Sequence, residues 1–157
     1  LDAGKPLPFD LRGESFVHLS LCCREDGAKL EPLYINPTTS TRFNALMPGL
    51  IRRLGLTLVG GKGGLSMECV EAMREIGCVY FSVIGGASAL MSMGLEEIVE
   101  TAWGDMIMQF RLTRVRLSGF GPVTIAIDAH GNSVYEQLNT AAAERLPAIL
   151  EANRRRG

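Results

Sequence analysis

The sequence has little of what would staple a chain, tether it or charge it. It holds four cysteines and two histidines in 157 residues. Cys22, Cys23, Cys69 and Cys78 form no Cys-x-x-Cys pair, so a structural zinc site lacks its usual ligand spacing. Sixteen Lys and Arg against seventeen Asp and Glu leave a formal charge of −1. That balance removes the positive field on which non-specific nucleic-acid binding rests. Apolar runs such as Cys78 to Ile84 fall far short of the roughly 20 residues that span a bilayer. The opening Leu1-Asp2-Ala3-Gly4-Lys5-Pro6 has neither the basic start nor the apolar stretch of a signal peptide. It also lacks an initiator methionine, so the chain reads as one whose N-terminal segment is missing. Free thiols in such a chain suit a reducing cytoplasm, which is the expected location.

What is present suffices for a core. Hydrophobic residues make up 46% of the chain, and a chain of about 150 residues buries roughly 68–70% of its extended surface on folding. A single domain over residues 1–157 is expected, with no internal repeat and no linker.

The pattern along the chain predicts a mixed α/β fold. Phe16 to Cys22 alternates as a strand does, and Leu33 to Ile35 supplies another, with Arg24-Glu25-Asp26-Gly27 as the turn between them. Phe43, Leu46, Met47, Leu50, Ile51 and Leu54 form one helical stripe, with Arg52 and Arg53 in its last turn and Gly55 as its stop. Leu56 to Val59 reads as a buried strand. A helix capped by Ser66 and ended by Gly77 follows, then a strand from Val79 to Ile84 and a short helix from Ala87 to Met93. Strand–helix–strand–helix is the signature of parallel pairing. Ile98 to Ala102, Gln109 to Arg116 and Val123 to Asp128 then read as strands with no room for crossover helices. The chain closes with a helix from Tyr135 to Asn153, interrupted or kinked at Pro147, and a solvated tail, Arg154-Arg155-Arg156.

Three polar clusters are candidates for chemistry. Asn36-Pro37-Thr38-Thr39-Ser40-Thr41-Arg42 places four consecutive hydroxyls before the strongest helix. A helix N-terminus offers free N–H groups to an anion, and Arg42 could fork onto a carboxylate. A plain helix cap is the alternative, though one hydroxyl would serve for that. Gly60-Gly61-Lys62-Gly63-Gly64 lies between a strand and a helix but fails both phosphate-loop patterns. Leu56 stands where a Walker A motif needs glycine, Gly63 where it needs Ser or Thr, and Ser66 where the dinucleotide fingerprint needs its third glycine. What remains is a lysine on a nearly bare loop at the carboxyl end of a strand, where open α/β sheets bind ligands. Asp128-Ala129-His130-Gly131-Asn132-Ser133 is either a catalytic loop or an Asp/Asn turn that satisfies its own backbone. His18 reads as a satisfied or surface histidine, and Trp103, Met91 and Met93 as packing residues. Together the clusters suggest a site for a small polyanion, most simply a carboxylate, and name no reaction.

These motifs, together with Lys5-Pro6-Leu7-Pro8-Phe9-Asp10-Leu11 and in this order, resemble the β subunit, or C-terminal domain, of class I (iron–sulfur) fumarate hydratases and L-tartrate dehydratases. The resemblance runs from about Lys5 to Val134. It implies a swivelling β/β/α domain with mixed parallel and antiparallel sheets. It also implies a hydro-lyase that adds or removes water on a small dicarboxylate (fumarate/malate or tartrate), active only with an α partner, in an oligomer. The partner would carry a [4Fe–4S] cluster on three cysteines, with the fourth iron open to substrate. No cysteine of this chain falls in a matched motif, so no metal is expected here. By motif position, Thr38 and Lys62 correspond to catalytic residues, and Arg42, Lys62 and Thr39 to substrate-binding ones. His130 and Asp128 would act behind the groups that touch substrate. A threonine hydroxyl is a weak base unless activated, so relay or positioning suits Thr38 as well as direct proton abstraction. Asn36 departs from the family's glycine at that position, and the family's upstream Arg-Asp and His motif is absent. The reading from another class is a non-catalytic carboxylate-binding or interaction module that keeps this fold.

Overall fold

A computed structural model describes residues 4–27 and 29–156. Its centre is a four-stranded sheet in the order β1 (Ser15–Val17), β4 (Leu58–Gly61), β5 (Val79–Ser82), β8 (Thr124–Ile127). The first three strands are parallel, with Phe16 opposite Val59 and Val59 opposite Tyr80. β8 runs antiparallel to β5, placing Ile127 opposite Tyr80 and Thr124 opposite Ser82. Two antiparallel hairpins complete the strands: β2 (Leu19–Asp26) with β3 (Lys29–Pro37), and β6 (Leu95–Ala102) with β7 (Leu112–Leu117). The mixture of parallel and antiparallel sheets is the one expected.

Alternation along the central strands explains the layering. Phe16, Val59, Tyr80 and Ile127 face α1 (Met47–Leu54) and α2 (Met67–Ile76), joining Met47, Ile51, Leu54, Val70 and Met73 in the larger core. Val17, Leu58 and Phe81 face the other way. They pack with Leu19, Leu21, Ile35, Leu95 and Met91, the last from the short helix α3 (Ser88–Ser92). The sheet therefore lies between a helical layer and a layer of hairpins. Each fully buried Ile, Leu or Met contributes about 1.5–3 kcal/mol relative to exposure, so both faces stabilise the sheet that carries the loops.

Several expectations change. Phe16 to Cys22 is not one strand: the chain breaks at His18 and passes from the central sheet to the β2–β3 hairpin. Arg24 to Asp26 belong to β2, where Arg24 pairs with Glu31, so the turn lies beyond them at Gly27; Ala28 lies outside the described residues. The long helix proposed from Phe43 begins at Met47 instead, after a 3-10 turn at Ser40–Phe43. Pro48 is the reason, since proline fits the first turn of a helix but removes an N–H and clashes one turn back in its interior. Met91 is packed as expected, whereas Met93 is 82% and Trp103 44% exposed.

α4 (Val134–Arg154) runs through Pro147, and none of its described residues is buried. No helix among the described residues is long and apolar enough to cross a membrane.

Candidate functional site

The carboxyl ends of the three parallel strands meet at one edge of the sheet. β1 ends at Val17, and His18 N–H donates to Gly60 C=O at 2.7 Å. β4 ends at Gly61, followed by Lys62, and beyond β5 Val83 N–H donates to Gly61 C=O at 2.8 Å. The hydroxyl run arrives at the same edge from β3. Thr38 N–H donates to His18 C=O (3.0 Å), Lys62 N–H to Thr38 C=O (3.2 Å), and Ser40 N–H to Lys62 C=O (2.8 Å). Thr39 and Lys62 thus form an isolated parallel bridge. Two motifs more than 20 residues apart are laced together, and Thr38, Thr39 and Lys62 become neighbours.

The glycines of the second motif have steric reasons. A Cβ on Gly60 would lie 2.1 Å from the Phe81 ring, one on Gly61 2.1 Å from Ser40 Oγ, and one on Gly64 2.8 Å from the Tyr135 ring. Gly63 has φ +74°, a left-handed conformation that L side chains adopt at a cost. Lys62 is the one long side chain of this loop. Its aliphatic stem lies over Gly85, where a Cβ would meet Lys62 Cδ at 2.8 Å. The bareness of Gly85 therefore gives the lysine its path.

Arg42 lies exposed on the 3-10 turn, its N–H donating to Thr39 C=O at 3.3 Å. Among the described residues, neither Lys62 nor Arg42 has an acidic partner, whereas Arg12, Arg24, Arg52, Arg111, Arg114 and Arg116 are all ion-paired. Two uncommitted cations beside a set of hydroxyls can hold a small anion bearing more than one negative charge. The hydroxyl run leads into a four-residue 3-10 turn, and the N-terminus of α1 at Met47 lies beyond it.

The third cluster lies elsewhere. Because β8 is antiparallel to β5, the chain leaves it at the opposite edge of the sheet, and Asp128 to Asn132 turn there. The Asp128 carboxylate accepts from His130 N–H and Asn132 N–H, both at 2.9 Å, and from Asn132 Nδ2 at 2.6 Å. The Asn132 hydrogen bonds hold its pKa below the usual carboxylate value. His130 is exposed on this turn. Thr38, Thr39 and Lys62 are brought together; Asp128 and His130 do not join them within this chain.

The motifs concealed three buried side chains. His18 is 5% exposed, between the face of Phe43 (centroids 4.4 Å apart) and the edge of Phe16 (5.5 Å). Its Nδ1 lies 3.0 Å from Ser40 Oγ and its Nε2 3.3 Å from Met47 Sδ. Ser40 is fully buried, and its Oγ is 2.9 Å from Tyr80 Oη, which itself lies 2.7 Å from Gly63 C=O. Burial pushes the His18 pKa down to about 4 and the Tyr80 pKa up to about 12, so both are neutral near pH 7. An excess of hydroxyls over what a cap needs was the one signal pointing to Ser40; Tyr80 looks like an ordinary strand aromatic.

Residues able to hold a metal do not converge here. Among the described residues no group of three or more His, Cys, Asp or Glu side chains is placed to bind an ion. All four cysteines are free, and burial raises Cys69, and Cys78 to about 11. Such thiols resist the thiolate form that iron–sulfur ligation requires. The residues of this chain do not fit the cluster.

The chain that builds this mixed sheet, with its threonine run laced to a lysine-bearing glycine loop, also matches a known class by sequence. It belongs to the Fumarase C-terminus family, which it matches over residues 1–138. It is 31% identical to the "L(+)-tartrate dehydratase subunit beta" of Escherichia coli (strain K12) over 151 residues, 96% of this chain and 75% of that protein. It is 28% identical to the "Putative L(+)-tartrate dehydratase subunit beta" of Methanocaldococcus jannaschii, over 96% of this chain and 77% of that one. A "Putative fumarate hydratase class I" of Geobacillus stearothermophilus is 28% identical over 92% of this chain, but the match covers only 28% of that protein.

Proposed function

We propose that this chain is the β subunit of a hydro-lyase that reversibly hydrates or dehydrates a small dicarboxylate of the fumarate/malate or tartrate type. The observation that supports this reading is the Thr39–Lys62 bridge, which puts the hydroxyl run and the glycine-loop lysine at one edge of the sheet. The names of its relatives agree with it. An enzyme in which one relative spans a much longer chain, and others are called subunits, suits a site completed by a second polypeptide. That α partner would carry the [4Fe–4S] cluster, since the thiols here do not suit it. A reducing cytoplasmic setting and an oligomeric enzyme go with this reading.

The chain's own residues have distinct tasks. The Lys62 ammonium and Arg42 guanidinium bind the two carboxylates of the substrate and fix which carbon faces the threonine run. Removing a proton beside a carboxylate builds a second negative charge on that carboxylate. A cation already in place stabilises this charge without reorganising at the moment of reaction. Thr38 has both its N–H and its C=O committed to neighbouring backbone, so its Oγ1 is carried by a fixed frame. It positions or relays the proton, and Thr39 adds a hydroxyl contact to the bound carboxylate.

The test is anaerobic hydration of fumarate and dehydration of L-tartrate, followed by ultraviolet absorbance, with the chain alone and with its cluster-loaded partner. Activity in the pair and not in the chain alone is expected, and the faster substrate identifies the type. A stable, cluster-loaded pair silent toward both would favour a carboxylate-binding or interaction module.

A further inference from the structure

We infer that His18, Ser40 and Tyr80 form a buried hydrogen-bonded strut that fixes the Thr38–Thr39 segment against the Lys62–Gly63 loop, making all three positioning residues of the site. The inference rests on the hydro-lyase reading only for its catalytic consequence; the strut itself is a matter of geometry.

The direction of the strut follows from counting protons. Four contacts must be served: His18 Nε2 to Met47 Sδ, His18 Nδ1 to Ser40 Oγ, Ser40 Oγ to Tyr80 Oη, and Tyr80 Oη to Gly63 C=O. A neutral histidine, a serine and a tyrosine bring one proton each. The Gly63 carbonyl can only accept, so the phenol donates to it. Tyr80 Oη then accepts from the Ser40 hydroxyl, and Ser40 Oγ accepts from His18 Nδ1–H. The contact left without a proton is the thioether, the weakest acceptor of the four. The opposite order would leave two oxygens less than 3 Å apart with no proton between them. His18 is therefore the Nδ1–H tautomer, stacked on Phe43 and held by Phe16.

The strut ends where the candidate chemistry begins. Ser40 is next to Thr39, and Gly63 is next to Lys62. The line runs beneath Gly61, where a Cβ would strike Ser40 Oγ at 2.1 Å and His18 Cβ at 3.2 Å. Backbone hydrogen bonds alone join the two segments at the surface; the strut joins them again from below. A linked set of this kind is worth more than its separate pairs, because loss of one member leaves the others buried and unsatisfied.

The experiment compares Tyr80→Phe, His18→Leu, His18→Asn and the Tyr80→Phe/His18→Leu double variant in the full chain, alone and with its partner. Asparagine keeps an N–H near the position of Nδ1. Amide hydrogen exchange at Ser40 and Lys62 reads the strut without any assay of activity. Expected are exchange about tenfold faster at these two amides in Tyr80→Phe and His18→Leu, near wild-type rates in His18→Asn, and no further change in the double variant. The α2 amides should hold their rates. In the active pair, kcat falls about tenfold in Tyr80→Phe while KM stays within about twofold. Unchanged exchange at Ser40 and Lys62, equal loosening of α2, or additive effects in the double variant would overturn the strut. Unchanged kcat with loosened amides would overturn its positioning role. A wild-type pair with no activity defeats the hydro-lyase reading instead, and the exchange result then decides the strut alone.

Discussion

The two polar loops at opposite edges of the central sheet look alike in sequence and differ in what satisfies them. Each follows a short apolar strand and mixes glycine with one basic side chain. The Asp128–Asn132 turn is closed on itself: one carboxylate accepts from the backbone two and four residues on and from the Asn132 amide. The Lys62 loop closes on distant chain, through Thr38, Ser40, Tyr80 and Gly85. Its one long side chain is left without an acidic partner among the described residues. A loop that satisfies itself locally is a good turn. A loop whose backbone is satisfied from elsewhere can hold a cation in one place and leave its charge for a ligand.

The sharpest way to break the comparison is Lys62→Ala. Catalysis by the pair should fall about a hundredfold, the usual scale for removing a group that stabilises developing charge, while thermal unfolding by circular dichroism shifts little. Arg42→Ala should also cost activity with folding preserved, and Thr38→Ala should lower turnover more than substrate affinity. Loss of folding in both cation variants would make the laced edge a purely structural feature.

Gly61→Ala should come next. Its Cβ would overlap Ser40 Oγ, and forcing atoms into a packed site costs about 1–3 kcal/mol; urea unfolding should show the loss. An unchanged midpoint would mean that Ser40 swings away freely.

The His18 pKa supplies a pH test. Its folded value of about 4 lies below the ordinary 6.5, and the cause is burial alone, with no charged group acting on it. Between those values the unfolded chain binds a proton that the folded chain refuses. Stability is therefore complete above about pH 6.5 and declines toward pH 4, by at most about 1.4 kcal/mol per pH unit from this group. His18→Asn should flatten that part of the profile. A profile identical to wild type would remove His18 as its source.

The smallest effect is expected at the self-contained turn. Asp128→Ala removes acceptors that are open to water, and only a small loss of stability should go with them. A loss as large as that in Gly61→Ala would show that this edge, too, is tied to distant structure.

Much of the fold was legible because its signals are local. Gly55 and Gly77 ended their helices where predicted, and the strand–helix–strand pattern gave parallel β4 and β5. The errors came from competition between signals. The apolar stripe from Phe43 outweighed Pro48, although a proline's missing N–H decides where a helix can start. The alternation through His18 concealed a change of sheet, since residues on either side of a break keep the same polarity pattern. Of the site, Thr38, Thr39, Arg42 and Lys62 stood out by residue type; Tyr80 did not, because a tyrosine in a strand usually needs no explanation.

By itself the sequence determined the periodic elements, the absence of any charge excess, Arg42 and Lys62 as candidates and the family resemblance. These depend on residue type and near-neighbour spacing. Only the tertiary structure decided that Thr39 and Lys62 are adjacent, that Asp128 and His130 lie at the other edge, and that His18, Ser40 and Tyr80 share one line of hydrogen bonds. Such contacts join residues about 20 to 40 positions apart. They form only when the sheet's register places those residues within about 3 Å of one another.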